Sequence, residues 1–129
     1  MPIALDHLIV PARDRAASAE RLASILGVGW APARIGPFTE VYLGEGCTLD
    51  FDEQAEPIPK GHYCFRISEA EFDQLIERLH ALGVAYRSTP HGPDDGRINT
   101  SVGGRLVYWS EPDGHAWEAL TQSYARPSR

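Results

Sequence analysis

The chain has 129 residues, a length that suits one domain with a hydrophobic core of its own. Its net charge of −6 at pH 7 argues against a nucleic-acid partner or an anionic membrane surface, because both select concentrated positive charge. No apolar run is long enough to span a membrane, and the first residues lack a signal-peptide pattern, so a cytoplasmic location is predicted.

The first half of the chain predicts a strand, a helix and three further strands. The opening LDHLIVPARD is apolar and strand-like, with His7 at its centre. A helix is predicted from about Asp14, with Leu22, Ile25 and Leu26 on its apolar face. It ends at Gly27, because a helix C-terminus favours a left-handed residue. Three strand-like segments follow: VGWAPARI, FTEVYLGEG and CTLDFDE.

The second half predicts the same order of elements. The segment GHYCFRIS is strand-like and has His62 near its start. Ser68 and Glu71 match the S-x-x-E capping box that begins a helix, and this helix ends at Gly83. Its buried face follows the i, i+3, i+4, i+7 spacing, with Phe72, Leu75, Ile76 and Leu79. The last three strand-like segments are VAYRST, GRLVYWSE and HAWEALT.

The two halves therefore align as an internal repeat. We predict a single domain over residues 1–129, with module one at about 1–53, a linker at 54–60 and module two at about 61–121. The linker is proline-rich, as is typical of a module boundary. The second copy also carries a polar, glycine-rich loop at 90–104, predicted to be a mobile flap or a binding loop.

Strand alternation predicts which side chains share a face of each sheet. His62, Glu118 and Tyr108 are predicted on the face away from the helix, whereas His115 points to the opposite face from Glu118. In the first copy, Asp50 holds the position that Glu118 holds in the second. His7 joins the same kind of face if Leu8 and Val10 pack under the helix.

Two imidazoles and one or two carboxylates on such faces predict a divalent-metal site for Fe, Mn, Co, Ni or Zn. The predicted ligands are His7, His62 and Glu118, with Asp50 as a weaker fourth. Each histidine taken alone also fits a hydrogen-bonded residue of a sheet, and Asp50 also fits a solvated carboxylate beside Asp52.

The paired modules and the stretch EPDGHAWEAL resemble the vicinal oxygen chelate superfamily. This group includes glyoxalase I, extradiol dioxygenases, fosfomycin-resistance thiol transferases and bleomycin-resistance proteins, and the chain is most similar to bacterial glyoxalase-like proteins. The resemblance implies an α+β fold of two βαβββ modules that curl into a half-barrel cup, and a homodimer. It also implies His7, His62 and Glu118 as metal ligands, and places Asp50 where glyoxalase I-type members have a fourth ligand.

The expected function is a divalent-metal-dependent enzyme that acts on a small oxygen-chelating substrate. Glyoxalase-like lyase, isomerase or thiol-transferase chemistry is expected, with Glu118 and Tyr108 as catalytic residues. Dioxygenase chemistry is less expected, because extradiol enzymes commonly have four modules. The alternatives are a metal-free protein that sequesters an antibiotic or metabolite, and a regulatory module that retains the fold without activity.

The remaining polar residues are open to two interpretations. Arg66 and Tyr108 are candidates for binding a substrate carboxylate or oxyanion, or else are a paired strand arginine and a half-buried tyrosine. Arg97, Asn99 and Arg105 in or beside the loop are candidates for substrate contact, or else are ordinary loop polarity. Cys47 and Cys64 are predicted to be small buried apolar residues, with a disulfide pair or a thiolate ligand as the alternative. His91 and His115 are predicted to be turn or surface residues, and His80 is predicted to be solvated on the polar side of the second helix.

Overall fold

The computed structural model describes residues 3–126 and divides between Pro59 and Lys60 into two compact units, each with one sheet. Neither helix in this range has the length and apolar character to cross a bilayer. The elements of the first unit are β1 (His7–Ala12), α1 (Arg15–Leu26), β2 (Trp30–Pro32), β3 (Thr39–Tyr42), a short 3-10 helix (Gly44–Gly46) and β4 (Thr48–Glu53). Those of the second unit are β5 (His62–Arg66), α2 (Glu69–Ala81), β6 (Leu106–Ser110) and β7 (Ala116–Leu120).

The helix ends are set by local side-chain chemistry, as the sequence predicts. The Asp14 carboxylate accepts a hydrogen bond from the Ala17 N–H at 3.1 Å, and Gly27 ends α1 with a left-handed φ of 70°. At α2, the Ser68 hydroxyl accepts from the Glu71 N–H, and the Glu71 carboxylate accepts from the Ser68 N–H, both at 3.1 Å. These reciprocal bonds satisfy donors that a helix start leaves free.

Both sheets join their first and last strands in parallel. The first sheet has the order β1-β4-β3-β2, and the second has the order β5-β7-β6. In the first sheet, Leu49 and Phe51 are buried on the side of α1, whose own Leu22 and Ile25 are buried as well. Asp50 alternates with its two apolar neighbours and therefore faces away from α1. The predicted α+β fold of two βαβββ modules is thus confirmed.

One predicted strand of the second module is reduced to a single bridge. Arg87 and Tyr108 exchange two backbone hydrogen bonds, of 2.8 and 2.9 Å, but the ladder stops there. The Tyr86 carbonyl accepts instead from the Gly96 N–H at 2.9 Å, and the Ser88 N–H donates to the Asp95 carboxylate at 3.0 Å. The long loop therefore takes the backbone groups that would have extended the strand.

The core of the second unit is aromatic. Trp117 is 1% exposed, and its ring stacks on Tyr63 and Phe65 with centroids 4.6 and 5.9 Å apart. His115 belongs to this same face and is fully buried, so the prediction of a turn or surface histidine was wrong. Its Nδ1 accepts a hydrogen bond from the Gly61 N–H at 2.9 Å, which satisfies a buried ring nitrogen.

Candidate functional site

The register of the second sheet brings four polar side chains together on the face away from α2. Cys64 on β5 and Tyr108 on β6 are the direct neighbours of Glu118 on β7. His62 lies two residues before Cys64 and so projects from the same face. The alternation of these strands therefore gathers His62, Tyr108 and Glu118 as the sequence predicted.

Glu118 is the centre of this group and is fully buried. Its Oε1 lies 3.0 Å from the Nε2 of His62. The Tyr124 hydroxyl reaches both carboxylate oxygens, at 2.9 Å to Oε1 and 2.7 Å to Oε2. Within residues 3–126, no Lys or Arg bonds to this carboxylate. A buried carboxylate is costly without a partner, and here its partners are an imidazole and neutral donors.

Tyr124 was not predicted from the sequence. It follows β7 by four residues, in a segment with no regular secondary structure, and the residue is about half exposed, at 48%. Burial and the hydrogen bonds to Glu118 and Tyr108 raise the pKa of Tyr124, and burial likewise raises the pKa of Tyr108. Both tyrosines are therefore neutral hydroxyl donors at physiological pH.

The prediction that both cysteines are buried was wrong. Cys47 is partly exposed and Cys64 is exposed, because Cys64 projects from the face of the sheet that α2 leaves free. Burial of its sulfur, together with Glu118, raises the pKa of the Cys64 thiol to about 12. At neutral pH this group is a thiol beside the carboxylate and neither a nucleophile nor a ready metal ligand.

The first unit carries a second pair of candidate ligands, His7 and Asp50, again away from its helix. His7 is largely exposed, and its Nδ1 lies 2.7 Å from the Asp6 carboxylate, a contact that raises the pKa of His7. Asp50 is only 7% exposed, and its Oδ1 has no hydrogen-bond partner among the described residues. Glu40 stands directly opposite Asp50 on the neighbouring strand. Burial and then Glu40 raise the pKa of Asp50, while His7 opposes the shift.

These side chains fit a divalent cation by type and by burial. Each unit offers one imidazole and one buried carboxylate, namely His7 with Asp50 and His62 with Glu118. Within the described residues, the Oδ1 of Asp50 has no hydrogen-bond partner and Glu118 has no bonded Lys or Arg, so both carboxylates keep oxygen lone pairs that suit a divalent cation. No three His, Cys, Asp or Glu side chains within residues 3–126 are grouped closely enough to hold an ion as they stand.

The Asp50 carboxylate, whose Oδ1 has no hydrogen-bond partner among the described residues, leads to a prediction about the stability of the protein. The raised pKa of Asp50 means that the folded protein holds this proton more tightly than the unfolded chain, so stability falls as the pH rises through that pKa. Asn cannot ionise, so Asp50→Asn should stabilise the metal-free protein at pH 7 by roughly 1 kcal/mol. The gain should vanish below the ordinary carboxyl pKa of 3.8, where both states are protonated.

Urea unfolding of the wild type and the variant at pH 7 and at about pH 3 measures this difference. Asp52→Asn is the matched control, since Asp52 lies on the same strand but is more exposed and has Gln54 as a partner at 3.3 Å. An equal gain at the two pH values, or a loss at pH 7, would contradict the account.

Three of the predicted substrate-binding residues, Arg66, Arg97 and Asn99, differ in exposure and in hydrogen bonding. Arg66 and Arg97 are exposed, and Arg66 shares its face with His62. Asn99 instead holds the loop, because its amide donates to the Ser88 carbonyl at 2.9 Å and accepts from the Ser101 hydroxyl at 2.7 Å. Side-chain hydrogen bonds therefore tie this loop, predicted to be a mobile flap or a binding loop, to its surroundings.

Arg105 lies against α2 and away from the polar group around Glu118. Its guanidinium donates to Glu69 and Asp73 at 2.8 Å each, and its carbon lies 4.5 Å from the centre of the Phe72 ring. Alternation explains this position, because Arg105 is an odd number of residues from Tyr108 and projects from the opposite face. Arg105 therefore stabilises the packing of α2 on β6.

Solved structures of known proteins share this fold over nearly the whole chain. No protein-family model matches the chain. Among solved structures, Oxidase ChaP-H2 superposes with a TM-score of 0.89 at 39% identity, over 97% of this chain and 98% of that one. Oxidase ChaP-H1 gives 0.88 at 42% identity, over 97% and 100%. The fold is shared with the fosfomycin resistance protein FosX from Listeria monocytogenes, complexed with Mn(II) and sulfate, at a TM-score of 0.69 and 21% identity over 96% and 94%. Because its fold matches these proteins over nearly the whole chain, at 39% and 42% identity for the two oxidases, the chain belongs to the vicinal oxygen chelate superfamily.

Proposed function

We propose that this protein is a divalent-metal-dependent enzyme that oxidises a small oxygen-chelating substrate. The observation that carries the proposal is Glu118, a fully buried carboxylate that contacts an imidazole at 3.0 Å and has no bonded Lys or Arg within the described residues. A divalent cation bound beside His62 would compensate the charge of this buried carboxylate.

The proposed ligands are His7, His62 and Glu118, with Asp50 as a weaker fourth. Each unit contributes an imidazole and a carboxylate, and the set is one that Fe, Mn, Co, Ni and Zn accept. A bound divalent ion would act as a Lewis acid that polarises a chelated substrate oxygen. We also propose a homodimer, as the family resemblance implies, and a cytoplasmic location.

The chain's own residues would bind the substrate and move its proton. Glu118 is placed to accept a proton from a substrate carbon or hydroxyl, since its carboxylate faces the polar side of the sheet. Tyr108 is 7% exposed and adjacent to Glu118, so its hydroxyl can donate to a substrate oxygen that gains negative charge. Arg66 is the basic residue on the same face that would attract an anionic group.

The reaction type is proposed from the relatives. Two proteins at 39% and 42% identity over nearly the whole chain are named oxidases, which favours oxidation. Lyase, isomerase and thiol-transferase chemistry stay predictions from the sequence. Metal-free sequestration of an antibiotic or metabolite is the alternative function, and it requires no ion at Glu118.

A metal and dioxygen screen tests the proposal. We expect calorimetric titration to show one Mn(II), Fe(II), Co(II), Ni(II) or Zn(II) bound per chain, and saturating metal to raise the unfolding midpoint by mass action. The loaded protein is then screened with α-hydroxy ketones and vicinal diols, and dioxygen uptake is compared with anaerobic turnover. Turnover that needs no dioxygen would replace oxidation by lyase or isomerase chemistry, and a lack of metal binding would favour the sequestering protein.

A further inference from the structure

The Tyr124 hydroxyl approaches the two oxygens of Glu118 unequally. It lies 2.7 Å from Oε2 and 2.9 Å from Oε1, and Oε1 is the oxygen that contacts His62. A phenol has one proton, so its stronger hydrogen bond goes to the nearer oxygen, Oε2. The carboxylate is thus held at Oε2 by Tyr124 and faces the imidazole with Oε1.

We propose that Tyr124 is a positioning residue that fixes Glu118 so that a divalent ion binds through Oε1 alone, beside Nε2 of His62. The inference rests on the proposed metal function and adds the C-terminal segment after β7 to the site. Carboxylates that bind metals are themselves hydrogen-bonded, and such bonds set their orientation and affinity.

The exposure of Tyr124 supports a positioning role over a packing role. As a whole residue, Tyr124 is 48% exposed, whereas the neighbouring Tyr108 is 7% exposed. A side chain that buries so little apolar surface stabilises the core weakly. The ordered contact is made by the hydroxyl, which is directed at the one fully buried carboxylate of this sheet's described strands.

The alternative role for Tyr124 would be to block the position of the metal ion. A hydroxyl within reach of both carboxylate oxygens also stands near the position that a bidentate cation would take. If Tyr124 only blocked that position, then its loss would free the carboxylate and increase the affinity for metal. The two roles therefore predict opposite signs for the change in dissociation constant.

The test is Tyr124→Phe in the full chain, which removes the hydroxyl and keeps the ring. Tyr42→Phe is the matched control, because Tyr42 is 42% exposed and its hydroxyl donates to the Glu40 carboxylate at 3.0 Å. Calorimetric titration with Co(II) should show about 10- to 100-fold weaker binding for Tyr124→Phe and no change for Tyr42→Phe.

The visible absorption of the Co(II)-loaded proteins gives a second readout that a loss of stability alone would not produce. With Oε2 released, the orientation of Glu118 is no longer fixed, so the d–d bands of Tyr124→Phe should broaden and change in intensity relative to the wild type and Tyr42→Phe. Equal or tighter Co(II) binding by this variant overturns the inference and leaves the proposed function intact. Failure of the wild type to bind Co(II), or any other divalent ion, overturns both.

Discussion

Replacing Glu118 with Gln is expected to weaken divalent-metal binding by more than about 100-fold. The amide presents one neutral oxygen in place of a carboxylate, and its nitrogen is not a metal ligand. Gln fills nearly the same volume and can still accept a hydrogen bond from Tyr124, so the loss would report on the missing charge. Because a buried charge is removed, the free energy of unfolding of the metal-free protein should not fall.

Calorimetric titration of Glu118→Gln with Mn(II) measures this effect. The matched control is Glu77→Gln, which makes the same chemical change at an exposed position of α2. The control should bind as the wild type does. If Glu118→Gln retains wild-type affinity while its far-UV circular dichroism is unchanged, Glu118 is not a ligand and the site must be sought elsewhere.

Trp117→Ala is expected to have the largest effect on stability, a loss of about 3–5 kcal/mol in the free energy of unfolding. Trp117 is 1% exposed and stacks between the rings of Tyr63 and Phe65, so its removal leaves a cavity that rigid neighbours cannot fill. It also adjoins Glu118 on β7, on the opposite face of the strand. A loosened core should therefore weaken metal binding indirectly.

Urea unfolding followed by circular dichroism measures the loss. Trp30→Ala is the control, since Trp30 is 38% exposed on the edge strand β2 and should cost about 1 kcal/mol. A destabilisation of Trp117→Ala no larger than that of Trp30→Ala would contradict the assignment of the core.

The helix ends and the faces of the strands could be predicted from the sequence because their causes are local. A capping box depends on Ser68 and Glu71 alone, and it forms as predicted. Alternation likewise placed His62, Tyr108 and Glu118 on one face, since each strand fixes this from its own residues. The same rule places Arg105 opposite Tyr108, and it could have excluded Arg105 from that face in advance.

The features that sequence reasoning missed depend on contacts between distant segments. The strand expected at residues 84–89 was lost because its backbone groups bond to the Gly96 N–H and the Asp95 carboxylate of the loop. His115 is buried because its ring packs at the edge of Tyr63, more than fifty residues away. Tyr124 follows the last strand in a segment without periodicity, and nothing local links it to Glu118.

The most direct test of the central claim is the number of imidazoles bound to one ion. Pulsed EPR of the Mn(II)-loaded protein detects the nitrogens bound to the ion. We predict two imidazole nitrogens, one from His7 and one from His62. Each single replacement, His7→Ala or His62→Ala, should leave one. A wild-type spectrum with one imidazole or none at a stoichiometry of one Mn(II) per chain would contradict the proposal that both units supply ligands to the same metal.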